Sequence, residues 1–112
     1  MKAQPIDFQQ GLRHCNDDPG IYRAVLQQFQ LQYQPLLADE SLSNDQQDAL
    51  LTLHTLKGLS STIGASQLSN FALICYQQWP QLSLADKRLH LHQLNGCLAD
   101  VLQASASYLD RH

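Results

Sequence analysis

Leu50-Leu51-Thr52-Leu53-His54-Thr55-Leu56-Lys57-Gly58-Leu59-Ser60-Ser61-Thr62-Ile63-Gly64-Ala65 is the stretch on which the reading of this chain turns. Wound as a helix at about 100° per residue, it divides into two faces of different chemistry. Ala49, Leu53, Leu56, Leu59 and Ile63 gather on one side and predict a core-facing stripe. On the other side His54 has Lys57 and Gly58 one turn on, Ser61 two turns on, and Leu50 and Leu51 one turn back. An imidazole, an ammonium and a missing side chain therefore share one patch. A structural histidine would want a carbonyl or carboxylate beside it, whereas this one has a cation and empty space. The pattern suits an anionic group delivered by a partner that needs clearance. Glycine inside a helix costs up to ~1 kcal/mol relative to alanine, so Gly58 predicts that bulk is unwelcome beside His54.

The composition points to helices. The chain has 112 residues, enough for a single core, and is 44% hydrophobic with 15% charged residues. Leu and Gln are abundant and Val is scarce, so helix is favoured over sheet. A net charge of −3 without a basic run argues against a nucleic-acid footprint. No apolar run approaches the ~20 residues that span a bilayer, and no signal-peptide core opens the chain. Cys15, Cys75 and Cys97 are isolated and read as reduced small hydrophobes.

The remaining segments extend the helical pattern in both directions. Ile6, Phe8, Leu12 and Cys15 predict a short helix over about residues 6 to 15 with Asp7 as its cap, ended by Asn16-Asp17-Asp18-Pro19-Gly20. From Pro19 to about Asp39, Ile21, Tyr22, Val25, Leu26, Phe29, Tyr33, Leu36 and Leu37 follow helical spacing, with Asp17 or Asp18 as N-cap. Pro35 should kink that helix or mark its last turns. Ser43 and Gln46 have the form of a capping box for a third helix running from about Asn44 to Ile63, closed by Gly64 as its C′ residue. Ser66 is the expected cap of a fourth helix over about 67 to 79, with Leu68, Phe71, Ala72 and Cys75 turned inward and Pro80 stopping it. Ser83, with Asp86 three residues later, opens a last helix whose stripe is Leu84, Leu91, Leu94, Leu98, Val101, Leu102 and Leu109. The expected fold is all-α: an antiparallel four-helix bundle with a short additional N-terminal helix, one domain over residues 1–112.

Among the histidines, His54 alone has neighbours that suggest chemistry. A free imidazole ionises at about pH 6.5, so at cellular pH its ring nitrogen offers a lone pair and can attack a phosphoryl group without a separate base. Lys57 would stabilise the negative charge added by phosphorylation, Gly58 leaves room for the donor, and Ser61 could hydrogen-bond a phosphate oxygen. Leu50 and Leu51 offer a partner apolar contact. His90 and His92 are two apart on a helix and point away from each other, so they form no metal pair. His14 sits at the end of the first helix and His112 at the terminus; both read as exposed polar residues. Trp79 beside Pro80 reads as helix-end packing. No G-x-S-x-G elbow supports a serine triad, and no glycine-rich nucleotide loop is present.

His54-Thr55-Leu56-Lys57-Gly58-Leu59-Ser60-Ser61-Thr62-Ile63-Gly64-Ala65 resembles the signature of histidine-containing phosphotransfer (HPt) domains, H-x-L-K-G-x-[SA]-x-x-[hydrophobic]-G-A. Gly11-Leu12, Asp17/Asp18, Tyr22 and Phe29 with Tyr33 also look like the family's first two helices, and Leu68 fits the fourth. The resemblance implies a monomeric carrier that accepts phosphoryl from an aspartyl phosphate on a receiver domain and passes it to the aspartate of another receiver. His54 would be the phosphorylated residue, and Lys57 and Gly58 map to the family's lysine and glycine. Such a domain binds no metal or nucleotide itself; Mg²⁺ belongs to the receiver. A family glutamine that orients the imidazole maps to Gln77 or Gln78. Where many members carry a glutamate, this chain has Tyr76-Gln77.

The implied partners are receiver domains of response regulators or of a hybrid histidine kinase, with neither nucleic acid nor membrane contact. The short lead-in Pro5-Ile6-Asp7 and the end at Arg111-His112 read as a terminal module, expected to be the C-terminal HPt module of a bacterial hybrid sensor histidine kinase rather than a free-standing carrier. The expected location is cytoplasmic, as the cytoplasmic part of an inner-membrane sensor kinase. No autonomous enzymatic activity is expected. The competing expectation is a docking module that binds receiver or kinase domains without phosphotransfer.

Overall fold

The computed structural model describes residues 4–38 and 45–112, and among these every regular element is helical. Asp7 caps α1 (Phe8–His14), its carboxylate accepting from the Gln10 amide at 3.1 Å. Asp18 caps α2 (Pro19–Tyr33), accepting from Gly20 at 2.9 Å and Ile21 at 3.2 Å, with Pro19 in the first turn where a missing N–H costs nothing. Asp45 opens α3 (Gln46–Ile63) by accepting from Gln47 at 2.9 Å. Ser43, the expected partner of Gln46 in a capping box, lies outside the described residues. α4 (Ser66–Gln78) runs into a single 3-10 turn, Trp79–Gln81, that carries Pro80. Ser83 opens α5 (Leu84–Arg111) as its spacing to Asp86 predicts, accepting from the Asp86 amide at 3.1 Å.

Several sequence expectations need correcting. The second helix ends at Tyr33, short of Asp39, because Pro35 can donate no hydrogen bond and Leu36 takes a left-handed φ of 64°. Ser66 does not cap the fourth helix. With Gly64 ending α3, only Ala65 separates the two helices, so Ser66 is already helical and its hydroxyl donates instead to Gln10 Oε1 at 3.2 Å. On α3 the buried stripe is Ala49, Leu53, Leu56, Ser60 and Ile63; Leu59 is only half-buried, on the flank toward α2. Ile21 and Leu84, both read as core-facing, are exposed at 49% and 53%.

Packing follows the stripes. α2 lies against α3 and α5, α4 against the same two helices, and α1 against α3 and α2. Tyr22, Leu26, Phe29 and Tyr33 meet Leu53, Leu56 and Ile63 on one side and Leu94, Leu98 and Val101 on the other, with Leu68, Ala72 and Cys75 closing the core from α4. Each such buried aliphatic or aromatic side chain contributes about 1.5–3 kcal/mol over exposure. With 28 residues, α5 sets the long axis; at 1.5 Å per residue it matches the 42 Å maximal extent. Polar ties hold α2 to α5. Arg23 donates to the Leu109 carbonyl at 2.8 Å, and Gln30 donates to the Leu102 carbonyl at 2.7 Å and to the Ser105 hydroxyl. Asn95 clamps Leu37, accepting from its N–H and donating to its C=O, both at 2.9 Å.

The cysteines are free, with Cys15 and Cys75 buried and Cys97 half-buried. Burial pushes the Cys75 thiol up to about 11, which leaves almost no thiolate near neutrality. Trp79 is buried at the helix end with the Lys87 ammonium 5.4 Å from its ring centroid, the packing role read from sequence. Among the described residues no helix is long and apolar enough to cross a membrane.

Candidate functional site

The outward face of α3 carries His54, Gly58 and Ser61, all exposed, with Lys57 half-buried on the flank toward α4. Leu51 stands 64% exposed one turn before His54, and Leu50 is half-buried beside it. Gly58 is the informative member. A Cβ built on it would meet nothing within 4 Å, so the fold itself makes no demand for glycine here. Gly11 and Gly64 contrast with it, since a Cβ on either would collide with backbone, Ile63 O and Asp7 O respectively.

α3 is held at its far end. A helix leaves its last four carbonyls without intrahelical donors, and here each finds one. Ala65 N–H donates to Ser60 O at 2.8 Å and Gly64 N–H to Ser61 O at 3.1 Å, the paired bonds of a Schellman turn, with Gly64 at φ 90°. The His14 ring Nδ1–H is shared between Ser61 O at 3.1 Å and Thr62 O at 3.2 Å. The Tyr22 hydroxyl donates to Ile63 O at 2.8 Å, and Asp7 N–H to Gly64 O at 2.9 Å. His14 is therefore a cap for α3 as well as a residue ending α1, a role its sequence position did not reveal. Gly11 lets α1 lie directly on the Ile63 carbonyl.

Around the patch, hydroxyls brace the backbone. Thr62 Oγ1 donates to Gly58 O at 3.0 Å, and Ser69 Oγ, from α4, donates to Lys57 O at 2.9 Å. The first links successive turns of α3, and the second ties α3 to α4. The Ser69 bond also fixes how α4 is rotated. Tyr76 follows Ser69 by seven residues, close to two turns, so it shares the face turned toward α3; Gln77 and Gln78 lie about 100° and 200° further round. Accordingly the Tyr76 ring lies 5.8 Å from the His54 ring, inclined at 47°. Gln77 and Gln78, the residues the resemblance offers for orienting the imidazole, are both exposed on α4. Sequence reasoning missed Tyr76 as a neighbour, although its spacing from Ser69 carried the signal.

Among the described residues, no group of three His, Cys, Asp or Glu side chains gathers as a metal site requires. His90 Nδ1 faces its own helix at Asp86 O, 2.8 Å away, and its ring centroid lies 6.3 Å from that of Phe71. Compared with models of protein families, with curated proteins and with solved structures, the chain gives no match. What the patch can do chemically thus rests on its own residues. It presents an accessible imidazole nucleophile, an ammonium one turn away, and an open approach over a glycine.

Proposed function

We propose that the chain is a phosphorelay intermediate of the histidine-containing phosphotransfer type. In this reading it is a single domain over residues 1–112, an antiparallel four-helix bundle of α2 to α5 with α1 as the additional N-terminal helix. Support for the bundle comes from the contacts: each of the four longer helices packs on two of the others. The observation that carries the function is Gly58, a helix-interior glycine facing open space one turn from an exposed histidine. Its cost of up to ~1 kcal/mol is not offset by any contact a Cβ would have spoiled. Gly96 in α5 is equally open, so what singles out Gly58 is its place one turn from His54 and beside Lys57, where clearance would serve an approaching partner. A lysine on the same face suits an anionic cargo.

The transfer follows from ordinary phosphoryl chemistry. A ring nitrogen lone pair of neutral His54 attacks the phosphorus of a receiver's aspartyl phosphate. The N–P bond forms as the P–O bond to the aspartate breaks, and the carboxylate leaves with the electron pair. Lys57 would steady the charge on the phosphoryl oxygens, and Ser61, exposed two turns on, is the hydroxyl of that face that could donate to one of them. Reversal onto another receiver's aspartate completes the relay. Mg²⁺ would be held by the receiver, and the chain itself would act as a carrier without an ATP site. Leu50 and Leu51 form the apolar border on which a receiver would rest.

The test is incubation of the chain with several phosphorylated receiver domains and Mg²⁺, following label into acid-labile phosphohistidine. Wild type should take up label, His54→Gln should take up none while unfolding at the same temperature, and Lys57→Ala should accept more slowly. Folded wild type that accepts nothing from any competent donor overturns the proposal. Receiver binding that is equal in wild type and His54→Gln, without transfer, would establish a docking module instead.

A further inference from the structure

We infer that Tyr76 is a positioning residue for His54, the aromatic wall against which the imidazole is held. The His54 side chain projects from an exposed face, where an unsupported imidazole would sample several rotamers. Its one ring neighbour among the described residues is Tyr76, at 5.8 Å between centroids and 47° between planes, within the range of favourable aromatic pairing. Tyr76 in turn is 36% exposed, so its ring borders the patch at the surface. The Ser69 bond to the Lys57 carbonyl locks the rotation of α4 that delivers the ring there. A ring in this place does two things. It narrows the orientations of the imidazole, and it shields one side of any group attached to a ring nitrogen from water.

The second effect rests on the phosphohistidine reading; the first does not. Hydrolysis of phosphohistidine requires a water oxygen to attack phosphorus as the P–N bond breaks, releasing inorganic phosphate while the ring nitrogen recovers an electron pair. Removing a wall that limits access of water should therefore shorten the lifetime of the phosphorylated state.

The experiment uses the whole chain with Tyr76→Phe, Tyr76→Leu and Tyr76→Ala, and reads two quantities. In the unphosphorylated protein, NMR follows the His54 ring protons, which a nearby aromatic ring displaces. Wild type and Tyr76→Phe should share the displaced positions, and Tyr76→Leu and Tyr76→Ala should lose them. The histidines are then labelled without a receiver by inorganic phosphoramidate, the ring nitrogen forming the N–P bond as ammonia departs with a proton. His14, His92 and His112 are exposed as well, so the His54 label is the signal absent from a parallel His54→Gln sample. The label should decay about threefold faster in Tyr76→Leu and Tyr76→Ala than in wild type, with Tyr76→Phe unchanged, a ratio within what an aromatic pair supports. Equal proton positions in wild type and Tyr76→Leu would overturn the inference, as would equal label lifetimes. Failure of receivers to label His54, with both Tyr76 effects intact, would count against the relay and leave the positioning role standing. Thermal unfolding of each variant confirms that it is folded.

Discussion

The two halves of α3 are built on opposite principles. From Ser60 onward its carbonyls are claimed from three directions, by Asp7 and His14 of the α1 region, by Tyr22 of α2, and by the turn through Gly64 and Ala65. Around His54, by contrast, the outward face is bare, with Tyr76 as the ring that comes near it. The glycines tell the same story. Gly11 and Gly64 have backbone where a side chain would go, and Gly58 has nothing. One end of the helix is fixed by its neighbours, and the other faces open space.

The strongest challenge to that contrast is a methyl group placed at the constrained end. Gly64→Ala puts alanine at φ 90° and drives its Cβ into the Asp7 carbonyl; Gly11→Ala drives one into the Ile63 carbonyl. Each should destabilise the fold by about 3 kcal/mol or more, seen as a large drop in the urea midpoint. A loss below 1 kcal/mol would mean that α1 is not seated on α3 as described.

Next in size is Tyr22→Phe, which leaves the Ile63 carbonyl without its donor and should cost about 1–2 kcal/mol. The same residue carries a pH signature. Burial, followed by nearby Tyr108, Cys15 and Asp7, raises the Tyr22 ionisation above the usual 10.0. The folded state therefore prefers the protonated phenol. That contribution is fully present below pH 10.0 and is lost as pH rises above it toward the folded value. Urea titrations at increasing pH should show wild type losing its advantage over Tyr22→Phe only above that point. Parallel curves would remove Tyr22 as the alkaline-sensitive tie.

At the open end the sign reverses. Gly58→Ala should stabilise the helix by about 0.5–1 kcal/mol, because its Cβ meets nothing and alanine is the better helix former. If the clearance serves a partner, the more stable variant should nevertheless accept phosphoryl more slowly. Higher stability with undiminished transfer would separate Gly58 from the site.

Ser60 marks the boundary and should give the smallest effect. Its hydroxyl is buried without a hydrogen-bond partner among the described residues, so Ser60→Ala trades a desolvated polar group for a small void. Thermal unfolding should move by less than the equivalent of about 1 kcal/mol, in the stabilising direction if at all.

Features that depend on neighbours in sequence were legible in advance. The caps at Asp7, Asp18 and Ser83, the C′ glycine at Gly64 and the joint face of His54, Lys57, Gly58 and Ser61 all involve residues within two helical turns of one another. Helical geometry alone places them. The misreadings arose where a small angular difference or a distant partner decides. Leu59 and Ser60 differ by one step of about 100°, and the position of α2 and α4 determines which is central. Tyr76 comes near His54 because α4 is turned so that Ser69 bonds the Lys57 carbonyl, a tertiary contact that spacing within α4 does not report.

The amino-acid order alone was enough to specify an all-helical chain and the chemical character of its exposed patch, because helix periodicity and capping are short-range effects. Which residues hold the end of α3 could come only from the folded chain. The hydrogen bonds from Tyr22 to Ile63 and from His14 to Ser61 and Thr62 join positions 41, 47 and 48 residues apart. Periodicity does not report pairings at that distance; they exist because the last carbonyls of a helix lack intrahelical donors and packing decides which ones arrive.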